Sequence, residues 1–267
     1  RFAPQTITPG EDVYLTLYLQ NLEPRDLGFT TVVHLSAADD GWVWAWREEW
    51  TPRSFPGEWW APGQVIPERI RIETTEDIPL GAYDLQVFWR AGDERNISWP
   101  VVRDGDETVL DRIFLGYVNA PPPVDTGRSM VPVDARFSDT ILLDSFAVSD
   151  PVPGEALHVD LFWDAVATPL DDYTVFVHLL DEDGQLVATH DSMPLENRFP
   201  TTAWKPGQIV SDGHQLALPE DLAPGTYQVN VGLYLLQTGE RLPVWDDAGA
   251  EQVDRSLPLT TIEIGDR

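Results

Sequence analysis

Two runs decide the reading of this chain: Phe199-Pro-Thr-Thr-Ala-Trp-Lys-Pro-Gly-Gln-Ile-Val210 and Asp221-Leu-Ala-Pro-Gly-Thr-Tyr-Gln-Val-Asn-Val-Gly-Leu-Tyr234. Each couples a Pro/Gly turn to an extended apolar run, and both have counterparts 144 residues upstream. Pro206-Gly207-Gln208 repeats Pro62-Gly63-Gln64, Trp204 repeats Trp60, and Gly225 and Tyr227 repeat Gly81 and Tyr83. The same offset carries Phe2-Ala3 to Phe146-Ala147, Pro9-Gly10-Glu11 to Pro153-Gly154-Glu155, and Val33-His34-Leu35 to Val177-His178-Leu179. Chance does not hold one register over so many scattered points. A period this long is a whole domain duplicated, not a solenoid unit.

Working outward, each copy reads as short strands separated by Gly/Pro turns. In copy one, Val13–Leu19, Phe29–Leu35, Trp42–Trp46, Val65–Glu73 and Ala82–Arg90 carry β-forming residues, with Ile97–Val102 and Arg112–Val118 as closing strands. In copy two the equivalents are Leu157–Trp163, Tyr173–Leu180, Gln185–Thr189, Ile209–Leu218 and Thr226–Leu235, followed by Arg241–Trp245 and Leu257–Ile264. Asp39-Asp40-Gly41 and Asp181-Glu-Asp-Gly184 are hairpin turns. No amphipathic helix stands out. The expected fold is all-β, two tandem immunoglobulin-like β-sandwich domains. The boundaries are residues 1–119, a Pro-rich linker at 120–128 whose prolines favour a stiff extended path, and residues 129–267.

The tyrosines sharpen this expectation. Asp221…Tyr227-Gln-Val229 is similar to the corner of immunoglobulin-like domains, where a Tyr hydroxyl bonds back to the backbone and a Cys follows two residues later. Val229 takes the Cys place, and copy one has Asp77, Gly81, Tyr83 and Leu85 in the same roles. Copy two also has a strand-like segment, Ala135–Asp144, whose counterpart would precede residue 1. The expectation is that copy one lacks its first strand and that the chain is cut from a longer one.

Composition narrows the function classes. The net charge is −28 and Lys205 is the single lysine, a surface that repels phosphate backbones, so nucleic acid is not an expected partner. There is no Cys and hence no disulfide or thiolate metal site. No stretch has the length of a membrane span. The acidic turn Asp181–Gly184 lacks the spacing of a calcium loop and reads as a solvated hairpin. His34 and His178 occupy equivalent strand positions without a triad context, which predicts a shared structural role as hydrogen-bonded, partly buried histidines. No pair among the 45 acidic residues stands out for glycosidase chemistry. The expectation is no enzyme, no cofactor and no metal.

Tryptophan is the asymmetric feature. Copy one carries Trp42, Trp44, Trp46, Trp50, Trp59, Trp60, Trp89 and Trp99, and copy two only Trp163, Trp204 and Trp245. The shared Trp60 and Trp204 read as core plugs beside the Pro-Gly turn. Trp42, Trp44 and Trp46 share one face of a strand. Their counterparts after a one-residue gap, Gln185, Val187 and Thr189, read as a surface row, with Leu186 and Ala188 inward. Trp42, Trp44, Trp46, Trp50 and Trp59 are therefore the candidate binding residues. An exposed stripe would meet another domain of a parent chain, another subunit, or the apolar ring face of a glycan. The remaining alternative is that the strand faces the other way and the indoles are core.

Three runs of copy two carry a resemblance: Asp172–Ala188, Trp204-Lys-Pro-Gly-Gln208, and Leu222–Tyr234. Together they resemble the extracytoplasmic β-sandwich modules of Chloroflexota-type bacteria, which often follow multi-pass membrane proteins of the glycosyltransferase or mannosyltransferase-like class. Ala135-Arg-Phe-Ser-Asp139 fits the module opening. The resemblance covers nearly all of copy two and copy one more weakly. It implies a non-catalytic accessory region on the outer face of a membrane and carries over no binding residues. Copy one departs most in its Trp-rich region.

Overall fold

The computed structural model describes residues 1–20, 22, 29–51, 60–91, 100–102, 109–123 and 128–265, with the backbone alone at 50, 51, 91, 102 and 109. The chain is all-β and forms two compact units, Arg1–Pro121 and Pro122–Arg267. Among the described residues no helix is long and apolar enough to cross a membrane.

Unit 1 holds β1 (Phe2–Ala3), β2 (Val13–Gln20), β3 (Phe29–Ala37), β4 (Val43–Thr51), β5 (Val65–Ile72), β6 (Gly81–Ala91), β7 (Val101–Val102), β8 (Val109–Leu110) and β9 (Ile113–Ala120). One sheet has the order β1-β2-β5 and the other β4-β3-β6-β9, with β7 and β8 paired apart. The sheets are antiparallel and share one core. Val13 and Leu15 of β2 with Ile70 and Ile72 of β5 meet Val33 and Leu35 of β3, Leu85 and Val87 of β6, and Val118 of β9. Strict alternation produces this face: in β5, Glu68, Ile70 and Ile72 are buried and the residues between them exposed. β9 runs two residues past the expected strand end. Ala120, expected in the linker, is fully buried in the core because its register partner Gly81 begins β6.

Unit 2 holds β10 (Val131–Phe137), β11 (Ile141–Val148), β12 (Ala156–Ala165), β13 (Tyr173–Leu180), β14 (Leu186–Ser192), β15 (Ile209–Ala217), β16 (Gly225–Leu235), β17 (Val244–Trp245) and β18 (Leu257–Ile264). Its sheets have the orders β15-β12-β11-β10-β17 and β14-β13-β16-β18. Trp163 is fully buried and meets Phe137 edge-on at 5.4 Å. Ala135–Asp144, expected as one strand-like segment, is the end of β10, a turn and the start of β11. The expected strand Arg241–Trp245 shrinks to Val244–Trp245, since Pro243 has no N–H to give a ladder.

The repeated turns are repeated in atoms. Gly10 and Gly154 have φ of 88° and 86°, and a Cβ on either would lie 3.2 Å from the Cγ of Glu76 or Glu220, themselves an equivalent pair. In the Pro-Gly-Gln turns the Gln side chain reaches back. Gln64 Oε1 accepts the Ala61 N–H at 3.2 Å, and Gln208 Oε1 the Lys205 N–H at 3.0 Å. Trp60 and Trp204 beside these turns are buried.

Candidate functional site

The outer face of β4-β3-β6-β9 carries the tryptophan row. Trp42 and Trp46 are 64% and 61% exposed and Trp44 37%, while Ala45 between them is buried. The indoles of Trp42, Trp44 and Trp46 thus meet solvent and are not core. Trp59 lies outside the described residues, as does the side chain of Trp50.

The row is not a flat ladder. His34 pairs with Trp46 and Leu35 with Ala45, but Ser36 pairs with Val43, so Trp44 is the extra residue of a β-bulge. Unit 2 has the same bulge, at Val187. It turns Leu186 to solvent at 54% exposure, where plain alternation places it inward, while Ala188 stays buried.

The hairpin turn fixes the start of the row. Asp40 Oδ1 accepts the Trp42 N–H at 2.7 Å, and Gly41 adopts φ 72°. Between Trp42 and Trp46 lies an open cleft of about 510 Å³, lined also by His34, Gly41, Val43 and Glu48. His34 meets the Phe88 ring edge-on at 5.0 Å. Its Nδ1 is buried and has no hydrogen-bond partner among the described residues, contrary to the expected hydrogen-bonded histidine. Burial, then the charges of Arg112 and Arg90, lower the His34 pKa against the pull of Glu48, so the ring is neutral at pH 7. Arg90 donates to Glu48 at 2.6 Å, and the guanidinium carbons of Arg90 and Arg112 lie 5.3 and 5.5 Å from the Phe88 centroid. Among the described residues Glu48 is the one carboxylate in the cleft lining, and it is held by that arginine.

In unit 2 the equivalent face is covered. Arg241 stands over Phe176 at 4.4 Å, and Gln252–Asp254 roof a second cleft of about 520 Å³ beside His178. His178 lies against Phe176 at 4.6 Å and 3.7 Å from Asp191. Asp181 Oδ1 accepts the N–H groups of Asp183 and Gln185, so this carboxylate serves its own turn. Among the described residues no three His, Asp or Glu side chains are placed to hold a metal ion together. A further group, His190, Asp212 and His214, has no signal in the sequence because its members sit on edge strands of different sheets.

No protein-family model matches the chain, and no curated protein does. Among solved structures it is similar to a calcium-binding mutant of Bacteroides uniformis β-glucuronidase 2, at 13% identity and a TM-score of 0.28, covering 88% of this chain and 26% of that one. It is also similar to a glycosyl hydrolase family 2 member from Bacteroides cellulosilyticus, at 10% identity and TM-score 0.29, over 95% and 28% of the two chains. Ruminococcus gnavus β-glucuronidase matches at 11% and 0.19, over 90% and 36%. The chain thus spans about a third or less of each of these structures. At TM-scores this low the likeness defines no common fold, and the activities named belong to those enzymes.

Proposed function

We propose that the chain is a non-catalytic binding module of two immunoglobulin-like sandwiches, and that the cleft between Trp42 and Trp46 takes a carbohydrate. One observation carries this reading: two well-exposed indoles flank a cleft whose lining includes a neutral imidazole and an arginine-held carboxylate. Indole faces suit the apolar side of a sugar ring, and His34 and Glu48 supply hydrogen-bonding groups for its hydroxyls. Among the described lining residues Glu48 is the one carboxylate, and its bond to Arg90 suits a hydrogen-bonding role. The immunoglobulin-like assignment is supported by the strand orders and by the tyrosine corner: Tyr227 Oη donates to Ala223 O at 2.9 Å, and Tyr83 Oη to Pro79 O. The resemblance of copy two supports an extracytoplasmic place within a larger protein.

The second reading is a protein partner, another domain of the parent chain or another subunit. Phe114 favours it: 49% exposed, it is a second large apolar group on the same sheet, in the cross-strand row of Trp46, His34 and Gln86 and away from the cleft. The two readings separate by titration. Tryptophan fluorescence of the whole chain is followed against a panel of neutral cell-surface glycans, for wild type and for Trp46→Ala. Sugar binding gives a saturable shift that weakens roughly tenfold or more in the variant, as a central stacked aromatic does. No shift with any glycan in the folded wild-type chain sinks the carbohydrate reading and leaves the protein partner.

A further inference from the structure

The seam between the two sheets of unit 2 holds a chain of ionisable groups that runs from buried Asp212 and His214 through half-buried His190 to exposed Glu196. β14 and β15 are edge strands of different sheets. Across the seam His190 Nδ1 and His214 Nδ1 lie 2.9 Å apart. His214 Nε2 is 2.9 Å from Asp212 Oδ2. Asp212 also accepts the Leu195 N–H at 2.9 Å and the Trp163 indole N–H at 3.4 Å. At the other end His190 Nε2 is 3.3 Å from Glu196 Oε1. Asp212 and His214 are 0% and 1% exposed.

The protons follow from the partners. A ring nitrogen facing a carboxylate must carry hydrogen to bond it, which places a proton on His214 Nε2 beside Asp212, and on His190 Nε2 when it pairs with Glu196. Were both rings neutral, two bare Nδ1 lone pairs would face each other at 2.9 Å. A third proton turns that repulsion into an N–H···N bond and gives the pair one positive charge between two carboxylates. A metal ion does not fit in its place. Two nitrogens on a tetrahedral ion with bonds of about 2.0–2.1 Å stand roughly 3.3 Å apart, and no third ligand is at hand among the described residues.

We propose that His190 and His214 share one titratable proton and form a latch across the seam, closed by acid and released by base, that holds the turn Leu195–Asn197. This turn needs holding. Leu195, Glu196 and Asn197 have φ of 56°, 54° and 69°, three successive left-handed residues with side chains, a conformation that costs energy at each position. Asp212 anchors Leu195 and His190 anchors Glu196, while Asn197 Oδ1 accepts the Met193 N–H at 3.0 Å.

Among the described residues the charged groups that act on His214 are Asp212 from β15, Glu196 from the turn and Asp191 from β14, while Arg198 donates to Leu195 O at 3.2 Å. β12 contributes apolar residues and the Trp163 indole. Burial lowers the His214 pKa, but the charge and hydrogen bond of Asp212, then Glu196 and Asp191, outweigh it and leave the pKa raised. Burial raises the Asp212 pKa, but His214, the Leu195 N–H and Trp163 outweigh it and leave the pKa lowered. A raised base stabilises the fold fully below its unfolded value of about 6.5 and loses that effect as pH rises through its folded value. A lowered acid stabilises above about 3.9 and loses that effect as pH falls through its folded value. The latch is tightest between these limits and opens on the alkaline side. Unit 1 has Arg47, Ile70 and Glu68 at the positions of His190, His214 and Asp212. Arg47 keeps its charge at every relevant pH, so that seam has no such switch.

The test is amide hydrogen exchange at Leu195 in the full chain, corrected for intrinsic pH dependence, from pH 6 to 9. The expected result is protection that falls by up to tenfold per pH unit above the folded pKa of the pair, as loss of one proton dictates. In His190→Gln the decline begins at lower pH, because His214 keeps the charge of Asp212 but loses the ring that shares its proton. Constant protection in wild type, or the same decline in the variant, overturns the latch. Should the variant not fold, ring-nitrogen NMR of the wild type decides. Coupled titration of both rings with one Nδ1–H signal supports the latch. Two independent titrations, or saturable Zn²⁺ binding that shifts both rings, overturn it.

Discussion

Phe176 lies across Gly232, its register partner on the neighbouring strand, and fills the space a side chain at 232 would need. Unit 1 holds the same aromatic position from the other strand: there Val32 faces Phe88. In both units that ring receives the conserved-in-register histidine, His34 on Phe88 and His178 on Phe176. The two copies have thus exchanged which strand supplies the ring while keeping the contact.

Gly232→Ala is therefore expected to be destabilising, although alanine is ordinarily welcome in a strand where glycine is not. The added methyl collides with Phe176 and comes within 3.0 Å of Arg255 O, an overpacking loss of about 1–3 kcal/mol. The double variant Gly232→Phe with Phe176→Val rebuilds the arrangement of unit 1 and should recover much of the loss that Gly232→Phe causes alone. Denaturant unfolding of the four chains gives the coupling directly.

The tyrosine corners make a second prediction. Tyr227→Phe removes the hydroxyl that Ala223 O accepts, and Tyr83→Phe the one at Pro79 O. Each ring stays buried, so only the hydrogen bond is lost, worth about 1 kcal/mol. Hydrogen exchange in the β5–β6 and β15–β16 connections would show the loss as local. An effect below roughly 0.3 kcal/mol in both would mean that the corner carries no net stability.

Much of this fold was legible because the duplication marks turns twice. Pro-Gly-Gln and Pro-Gly-Glu recur with their hydrogen bonds, and the alternation of Ala45 and Trp46 gives the right face. The bulge at Trp44 and Val187 was not legible, and it is why Leu186 faces solvent. The ring exchange between Phe88 and Phe176 needs the register between strands, which spacing along one chain does not contain. His190 and His214 meet only because two edge strands of different sheets close the same seam. The cleft beside His34 likewise depends on a neighbour, the Trp row of β4, and on the arginines that keep its ring neutral.

Histidine titration gives a third prediction, with a sign opposite to that of the latch. Burial, then Arg112 and Arg90, lower the pKa of His34, and burial, against Asp191 and with Arg241, lowers that of His178. A base with a lowered pKa stabilises the fold above its unfolded value of about 6.5, and this effect is lost as pH falls through the folded value. Both rings should titrate below 6.5 by NMR. His178→Gln should flatten the part of the stability profile that falls between pH 7 and 5. Normal titration of both rings would contradict the neutral imidazole assigned to the cleft.

The tryptophans separate binding from packing. Trp42→Ala and Trp46→Ala remove well-exposed rings, so each should change stability by no more than about 0.5 kcal/mol. Trp204→Ala empties a fully buried site whose indole N–H donates to Phe199 O at 3.3 Å, and should cost about 3–5 kcal/mol. Emission separates them too: quenching by iodide should fall most in the variants lacking Trp42 or Trp46 and little in Trp204→Phe. A loss of several kcal/mol from Trp46→Ala would mean that the ring is covered in solution, which removes the open cleft on which sugar binding rests. A stable Trp46→Ala that has lost glycan binding leaves the ring no role but contact with the ligand.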